Sequence, residues 1–391
     1  MKNKLGLIFF FIVVLSSFVS ADNIDACAVL NKNNTVYYLT ADIIESGYID
    51  TCLDITGNNV TLDCQGYLLD SELDYSAYGI AVTRAISENV NVTIRNCFLD
   101  DFEQANIYSN KVSGLNVLSC YASSSEFITN SHFYFTYTND SYFYNLSASD
   151  FGTYGIDFED SFNNIIENSK SENMALDGIF FLRSGNNTLR NSILQNNSGN
   201  GIVIFSSYLN HIYNNMFNNS NQSGFSGTLY NNSWNTTNQT GTRIYSDGTN
   251  ISGNYWTNSS KDGYSDTCTD SDTDGFCDVA YNVSSGLAVS GTDFWGNVDY
   301  LPLSNKYSLI KYVPPTELTK ICNYSIESFS SFLKLISVTI IVAVAAILIL
   351  IIKNIETFNI SSIDNLPQIA AIIIIACIIL VLGASIIISM C

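Results

Sequence analysis

Four glycines, Gly155, Gly178, Gly201 and Gly224, stand 23 residues apart, and the first three open the same phrase: YGIDF, DGIFF and NGIVI. Thirteen residues after each of those three comes an asparagine, Asn168, Asn191 and Asn214, inside NNIIEN, NNTLRN and LNHIYN. A register shared by glycine, aliphatic residue and asparagine marks an internal repeat. It runs backwards through Asn145, Cys120, Asn96 and Cys64 in steps of 23, 25, 24 and 32, the last containing an insertion around LLDSELDYSAYG. Further degenerate units are expected between Phe225 and Trp256.

A unit this short, with alternating apolar segments such as GIVIF, cannot bury its own face and must stack on its neighbours. Helical repeats are longer and need helix formers, whereas Asn, Ser, Gly, Tyr and Ile suit strands and turns. Leucine-rich repeats share the length, but their leucine spacing is absent. The predicted fold is all-β, a parallel β-helix whose coils hydrogen-bond to one another at about 4.8 Å; roughly nine coils make a rod on the order of 40 Å long. Asn168, Asn191 and Asn214 are expected at the corners as a structural ladder. Asparagine tolerates a left-handed backbone, and stacked amides bond to each other along a rod. Cys64 and Cys120 share the same rung position, where buried thiols and disulfides are equally compatible.

The sequence carries a net charge of −20, which excludes nucleic acid, itself a polyanion, as a partner. Lys2 and Lys4, an apolar run from Leu5 to Leu15 and small residues ending at Ala21 read as a secretory signal peptide. Two further apolar runs, Leu335 to Ile352 and Ile369 to Met390, are long enough to cross a membrane. They hold no ionisable residue, so they read as an anchor that also leaves room for association with another membrane protein. The chain thus divides into a signal peptide (1–21), an N-terminal cap (22–50), the β-helix (51–260), an acidic closing segment (261–305), a juxtamembrane linker (306–334) and two transmembrane helices (335–352 and 369–390) around a cytoplasmic loop (353–368). The large domain is placed outside the cell, where disulfides persist. Local pairs Cys27 with Cys52 and Cys268 with Cys277 are expected, and Cys64 with Cys97 is a third. Dense sequons, among them Asn139, Asn145, Asn186, Asn196, Asn218, Asn231, Asn235 and Asn258, point to a glycoprotein.

The phrase NGI…NNT, the segment NVTLDCQG before it, and the tail order GNYWTN (253–258), DSDTDGFCDVAY (270–281) and VDYLPL (298–303) resemble right-handed parallel β-helix proteins with NosD-like or pectate-lyase-like repeats, in the form found in archaeal surface proteins. The resemblance covers about residues 50 to 305. It implies the fold directly. It also implies a choice of functions, because that fold hosts lyases, hydrolases, epimerases, adhesins and scaffolds.

Three kinds of site follow as expectations. A copper accessory role is attached to the NosD name, but soft-metal sites need clustered His, Cys or Met, and the exported part offers His132, His211, Met174 and Met216. A polysaccharide lyase or glycosidase would draw on Asp157, Glu159, Asp160, Asp177, Arg183 and Arg190, with alternation placing Ile156 and Phe158 inside and Asp157 and Glu159 outside. Carbohydrate binding would use outward Tyr134 and Tyr144 as a stacking strip. The loop from Asp270 begins like a calcium-binding EF-hand, but its twelfth residue is Tyr281 in place of the bidentate Glu. Oxygens of Asp270, Asp272, Asp274, Asp278 and the Phe276 carbonyl can still wrap Ca2+. Cys268 and Cys277 bracket the loop, and the ion would then close the rod's open end. Taken together, the reading is a membrane-anchored, exported surface β-helix glycoprotein, structural or adhesive, binding carbohydrate or other surface polymers. The enzyme and the copper accessory protein stand as alternatives.

Overall fold

The computed structural model describes residues 20 to 305, apart from 46, 48, 73–75, 126–129, 246–247, 286 and 289–296. The signal peptide up to Val19, the linker and both apolar runs lie outside the described residues. Among the described residues no helix is long and apolar enough to cross a membrane.

The chain forms a right-handed-type parallel β-solenoid of about eight coils, slightly fewer than the nine expected. Each regular coil has three short strands, for instance Tyr154–Glu159, Ile165–Glu167 and Lys170–Glu172, followed one coil later by Asp177–Leu182, Thr188–Arg190 and Ile193–Gln195. Successive coils pair in parallel, residue for residue, building three ladders along the rod. Alternation sends every second side chain inward, and like stacks on like. Ile156, Ile179 and Ile202 form one interior column and Phe158, Phe181 and Ile204 the next, none more than 1% exposed. Each such side chain contributes roughly 1.5–3 kcal/mol by leaving water.

The period-setting glycines have a steric cause. A Cβ on Gly155 would meet the Gly178 carbonyl oxygen at 2.6 Å, and one on Gly178 would meet that of Gly201 at 2.6 Å. Neighbouring coils approach too closely there for any side chain.

The corners are single left-handed residues. Asn168, Asn191 and Asn214 have φ of 55°, 55° and 53°, as expected of asparagine. Each coil makes more corners of this kind than the expected one, with Asp160, Asn163 and Asn173 also left-handed in the same coil as Asn168. The expected amide ladder is interrupted, however. Asn214 donates to Asn191 at 2.6 Å, while Asn191 donates to Glu167 rather than to Asn168. The continuous ladder is the neighbouring column Asn164, Asn187 and Asn210, all buried. The Asn187 Oδ1 accepts the Asn164 backbone N–H at 2.9 Å and its Nδ2 donates to the Ser161 carbonyl at 3.0 Å. Asn210 repeats both bonds one coil on. These amides satisfy backbone groups that the corner removes from the strand ladders.

The long step between Cys64 and Asn96 is shared among several places. Within Tyr78–Arg95 the register jumps from Thr83 opposite Asn110 to Glu88 opposite Val112, so Arg84, Ala85, Ile86 and Ser87 stand against Lys111 alone. Disulfides join Cys27 to Cys52, Cys64 to Cys97 and Cys268 to Cys277, as the spacing suggested. Cys120 is a buried thiol, which burial pushes up to about 12. Of the sequons, Asn186, Asn196 and Asn231 are exposed. Asn145 is 6% exposed and bonded to Ser119, which excludes a glycan there.

At the far end the tail motifs interlock. A second buried column runs through Ser169, Ser192 and Asn215, and Asn254 ends it by accepting the Asn215 backbone N–H at 3.1 Å. Asp299 then accepts the Asn254 N–H at 2.8 Å, the Trp256 indole N–H at 2.9 Å and the Leu301 N–H at 3.2 Å. GNYW and VDYLPL are thus two halves of one end cap.

Candidate functional site

On the first ladder the register aligns Tyr108, Tyr134, Asp157 and Phe180 in one column, and Ser131, Tyr154 and Asp177 in the next. Ile107, Phe133, Ile156 and Ile179, the immediate sequence neighbours of the first column, fill the core, so alternation turns that column outward. The rings stack on one another: Tyr78 on Tyr108 with centroids 4.5 Å apart and planes 14° apart, Tyr108 with Tyr134 at 5.4 Å, Tyr154 on Phe180 at 5.1 Å. Rings that cover each other present edges and hydroxyls to solvent instead of flat faces. Tyr134 also donates its hydroxyl to Glu159 at 2.7 Å. The stacking role expected of it is taken up within the protein.

Asp157 sits where this aromatic column breaks. It occupies an outward position, as expected, but is 8% exposed. Its Oδ2 accepts from the Ser131 hydroxyl at 3.4 Å, and its Oδ1 is buried with no hydrogen-bond partner among the described residues. Burial, reinforced by the charge of Glu159, pushes its carboxyl up to about 7. Glu159 and Asp160 both bind the Arg183 guanidinium, Asp160 through two bonds at 2.8 and 2.9 Å. Those hydrogen bonds raise Arg183 well above its ordinary value. Asp177 accepts from the backbone and side-chain nitrogens of Asn200 at 2.7 and 2.9 Å. Arg190 lies on the second ladder, away from this group. The six residues considered for catalysis therefore do not converge. Only the Glu159, Asp160 and Arg183 set is joined, as an ion-pair network.

The second ladder carries a face that sequence reasoning missed. Tyr144, Glu167, Arg190 and Tyr213 align, each immediately before a corner asparagine, and beside them run Tyr142, Ile165, Thr188 and His211. The signal was present in the repeat: alternation turns the residue preceding Asn145, Asn168, Asn191 and Asn214 away from the core, and of these only Tyr213 is covered, at 6% exposure. Arg190 donates to Glu167 at 2.9 Å and to the Tyr213 hydroxyl at 3.2 Å. The Tyr142 hydroxyl donates to Glu167 at 3.2 Å, and burial followed by that carboxylate pushes its phenol up to about 12. Tyr142 and Tyr144 lie side by side with centroids 6.0 Å apart and planes at 22°. Tyr144 and Ile165 are each 38% exposed. Tyr134 and Tyr144 thus belong to different ladders and do not form one strip.

In the acidic loop, carboxylate oxygens of Asp270, Asp272 and Asp278 lie within 4.8 Å of one another. Asp270 is fully buried and accepts from the Gly275 N–H and the Ser304 hydroxyl. Asp274 does not join them: its carboxylate accepts the Phe276 N–H at 2.9 Å, and its carbonyl faces Arg243 at 2.9 Å. Phe276 is bridged to Leu303 and its ring lies under the Arg243 guanidinium.

The soft donors do not assemble. His132 is buried, its Nδ1 accepting from Asn106 at 2.8 Å and its Nε2 donating to the Asp150 carbonyl at 3.1 Å. Burial pulls its imidazole down to about 4, so it is neutral. His211 is engaged by the Asn235 carbonyl at 3.2 Å. Met174 and Met216 are core residues, and Cys120 is a buried thiol. Among the described residues no His, Cys and Met set fits copper.

Against known proteins, a family model described as periplasmic copper-binding protein (NosD) matches residues 21–261. No curated protein matches the sequence. Similar solved structures include the periplasmic alginate epimerase AlgG, at TM-score 0.42 and 14% identity over 50% of this chain and 48% of that one. The enzymatically active domain of Bacteriophage CBA120 tailspike protein 2 reaches 0.45 and 15% over 55% and 38%. The A-module of Azotobacter vinelandii mannuronan C-5 epimerase AlgE4 reaches 0.37 and 13% over 51% and 67%. The chain spans about half the length of the AlgG structures it matches. The repeat, the solenoid and a family match over well more than half the sequence agree, and the chain belongs to the NosD family.

Proposed function

We propose that the protein is an exported surface β-helix glycoprotein, held at the membrane by its C-terminal apolar runs, that binds carbohydrate or a related surface polymer without cleaving it. The observation that supports this reading is the second-ladder face, where exposed Tyr144 and Ile165 lie beside hydrogen-bonding groups held in place by Glu167 and Arg190. A sugar has apolar C–H faces and a rim of hydroxyls, and the exposed apolar surface of Tyr144 and Ile165 flanked by oriented polar groups matches both. Retention of the full-length protein on immobilised polysaccharides tests the reading. Replacing Tyr142 and Tyr144 together by Ala is expected to weaken retention by about tenfold, a loss near 1.4 kcal/mol, with unfolding unchanged. Equal retention would remove this face from the account.

One observation favours a lyase or glycosidase instead. Asp157 holds its proton up to about pH 7, a property of a general acid. Against it, Oδ1 is closed off from solvent and Glu159 is tied to Arg183. Calcium belongs to the main reading: Asp270, Asp272 and Asp278 hold it by three carboxylates at the rod's end, and the neighbouring disulfide restrains the loop before binding. Copper, which the family description implies, finds no matching donor set, and no step is assigned to it.

A further inference from the structure

A groove of about 570 Å3 opens between the last strand of the first ladder, Asn221–Ser226, and the closing segment. Its walls carry neutral hydrogen-bonding side chains, with Asn221 on the solenoid side and Asn258, Thr267 and Ser284 on the closing side. Trp256, Tyr264 and Tyr281 also line it, with Tyr281 4.8 Å by centroid from each of the other two. The one charged wall residue among those described is Asp262, which accepts from Asn258 at 2.7 Å.

We infer that this groove is a second saccharide site, taking a short stretch of a neutral glycan rather than a polyanionic one. The volume is that of a small-ligand pocket. Its polar walls disfavour an apolar ligand, which would strand amides and hydroxyls without water. The lone carboxylate, with no Lys or Arg among the described lining residues, repels uronate or sulfate groups. What remains is a ligand rich in hydroxyls whose apolar face can lie against the partly exposed Tyr264, since Trp256 and Tyr281 are themselves buried. The volume of the groove admits a short stretch of chain, whereas the second-ladder face runs on along the rod. The choice of ligand rests on the carbohydrate reading; the location does not.

The test uses the full-length protein and two probes: short neutral oligosaccharides of two to four hexoses, and uronate oligosaccharides of the same length. Binding is followed by calorimetry, alongside retention on long polysaccharide. Asn221 is exposed, so Asn221→Trp fills the groove from the surface, and Ser284→Trp fills it from the opposite wall should the first variant fold poorly. The expected result is binding of the neutral oligosaccharides that drops at least about tenfold in the filled variants, with retention on long polymer intact. Neutral binding that the filled variants leave unchanged overturns the groove and spares the carbohydrate reading. A preference for uronates overturns the ligand class. Failure of short glycans to bind while long polymer is retained also removes the groove, and failure of both probes removes the two proposals together.

Discussion

The coils from Tyr154 to Asn218 and the closing segment from Asn254 to Ser304 use the same hydrogen bond, supplied in two ways. Within the coils, the buried Asn164, Asn187, Asn197, Asn210 and Asn215 each accept a backbone N–H from one coil earlier, as Asn210 does from Asn187 at 3.0 Å, 23 residues away. At the end, Asn254 accepts from Asn215 across 39 residues, and Asp299 accepts from Asn254 across 45. The geometry is kept while the sequence spacing is lost. A solenoid propagates by repetition, but it can only stop when a distant segment folds back to provide the last acceptor.

The comparison can be broken most severely at its end. Asp299→Ala leaves the Asn254, Trp256 and Leu301 N–H groups without their acceptor inside a closed site. A loss of about 3–5 kcal/mol is expected, read as a lower denaturant midpoint. A loss below about 1 kcal/mol would mean that the end cap is dispensable.

Within the repeat, Asn187→Ala strands one N–H and one carbonyl, and about 2–3 kcal/mol is expected. Asn191→Ala, at the half-buried corner, is expected to cost less, because its amide bonds Glu167 and Asn214 while the strand ladders stay paired. Equal losses would put the two columns on the same footing.

Asp157 sharpens the comparison through pH. Its folded value of about 7 stands above an unfolded value near 3.9. The stability it contributes is therefore complete below pH 3.9 and is lost as pH rises through about 7. Asp157→Asn removes this dependence and is expected to raise stability at pH 8 by about 1–3 kcal/mol, read as a higher melting temperature, with little change at pH 4. Asp299, raised to about 7, acts in the same sense at the end cap. His132, depressed to about 4, acts in the opposite sense: its contribution is present above the unfolded value near 6.5 and lost as pH falls through about 4. A flat profile for wild type and variant alike would contradict the burial argument.

The smallest effect belongs to the acidic loop. Chelation of calcium is expected to lower stability by about 1 kcal/mol, read as a lower melting temperature and concentrated in probes of the closing segment such as Trp256 fluorescence. An unchanged melting temperature in EDTA would count against a bound ion.

The same contrast explains what was legible. The solenoid followed from Gly155, Gly178 and Gly201 because each coil repeats one steric problem, and the corner asparagines followed because one left-handed residue must recur. The continuous amide ladder lay four residues before the asparagines first singled out, at the other end of each short strand, since NNIIEN and NNTLRN offer more than one candidate and spacing alone does not say which bonds the next coil's backbone. Asp157 was assigned to the right face and the wrong degree of exposure, because alternation gives direction, while burial depends on the rings in adjacent coils. Asp274 matched the motif by spacing, but its carboxylate is turned to the Phe276 N–H while Arg243, 31 positions away and connected to it by no local pattern, binds its carbonyl. The second-ladder face was readable as the position before each corner asparagine, once the register was known.

The central claim, binding without cleavage, is met most directly by incubating the full-length protein with a panel of neutral and acidic polysaccharides, with and without calcium, and sizing both bound and free glycan. The account predicts that glycan is retained and its length distribution is unchanged; shortened or unsaturated products that accumulate with time would contradict it.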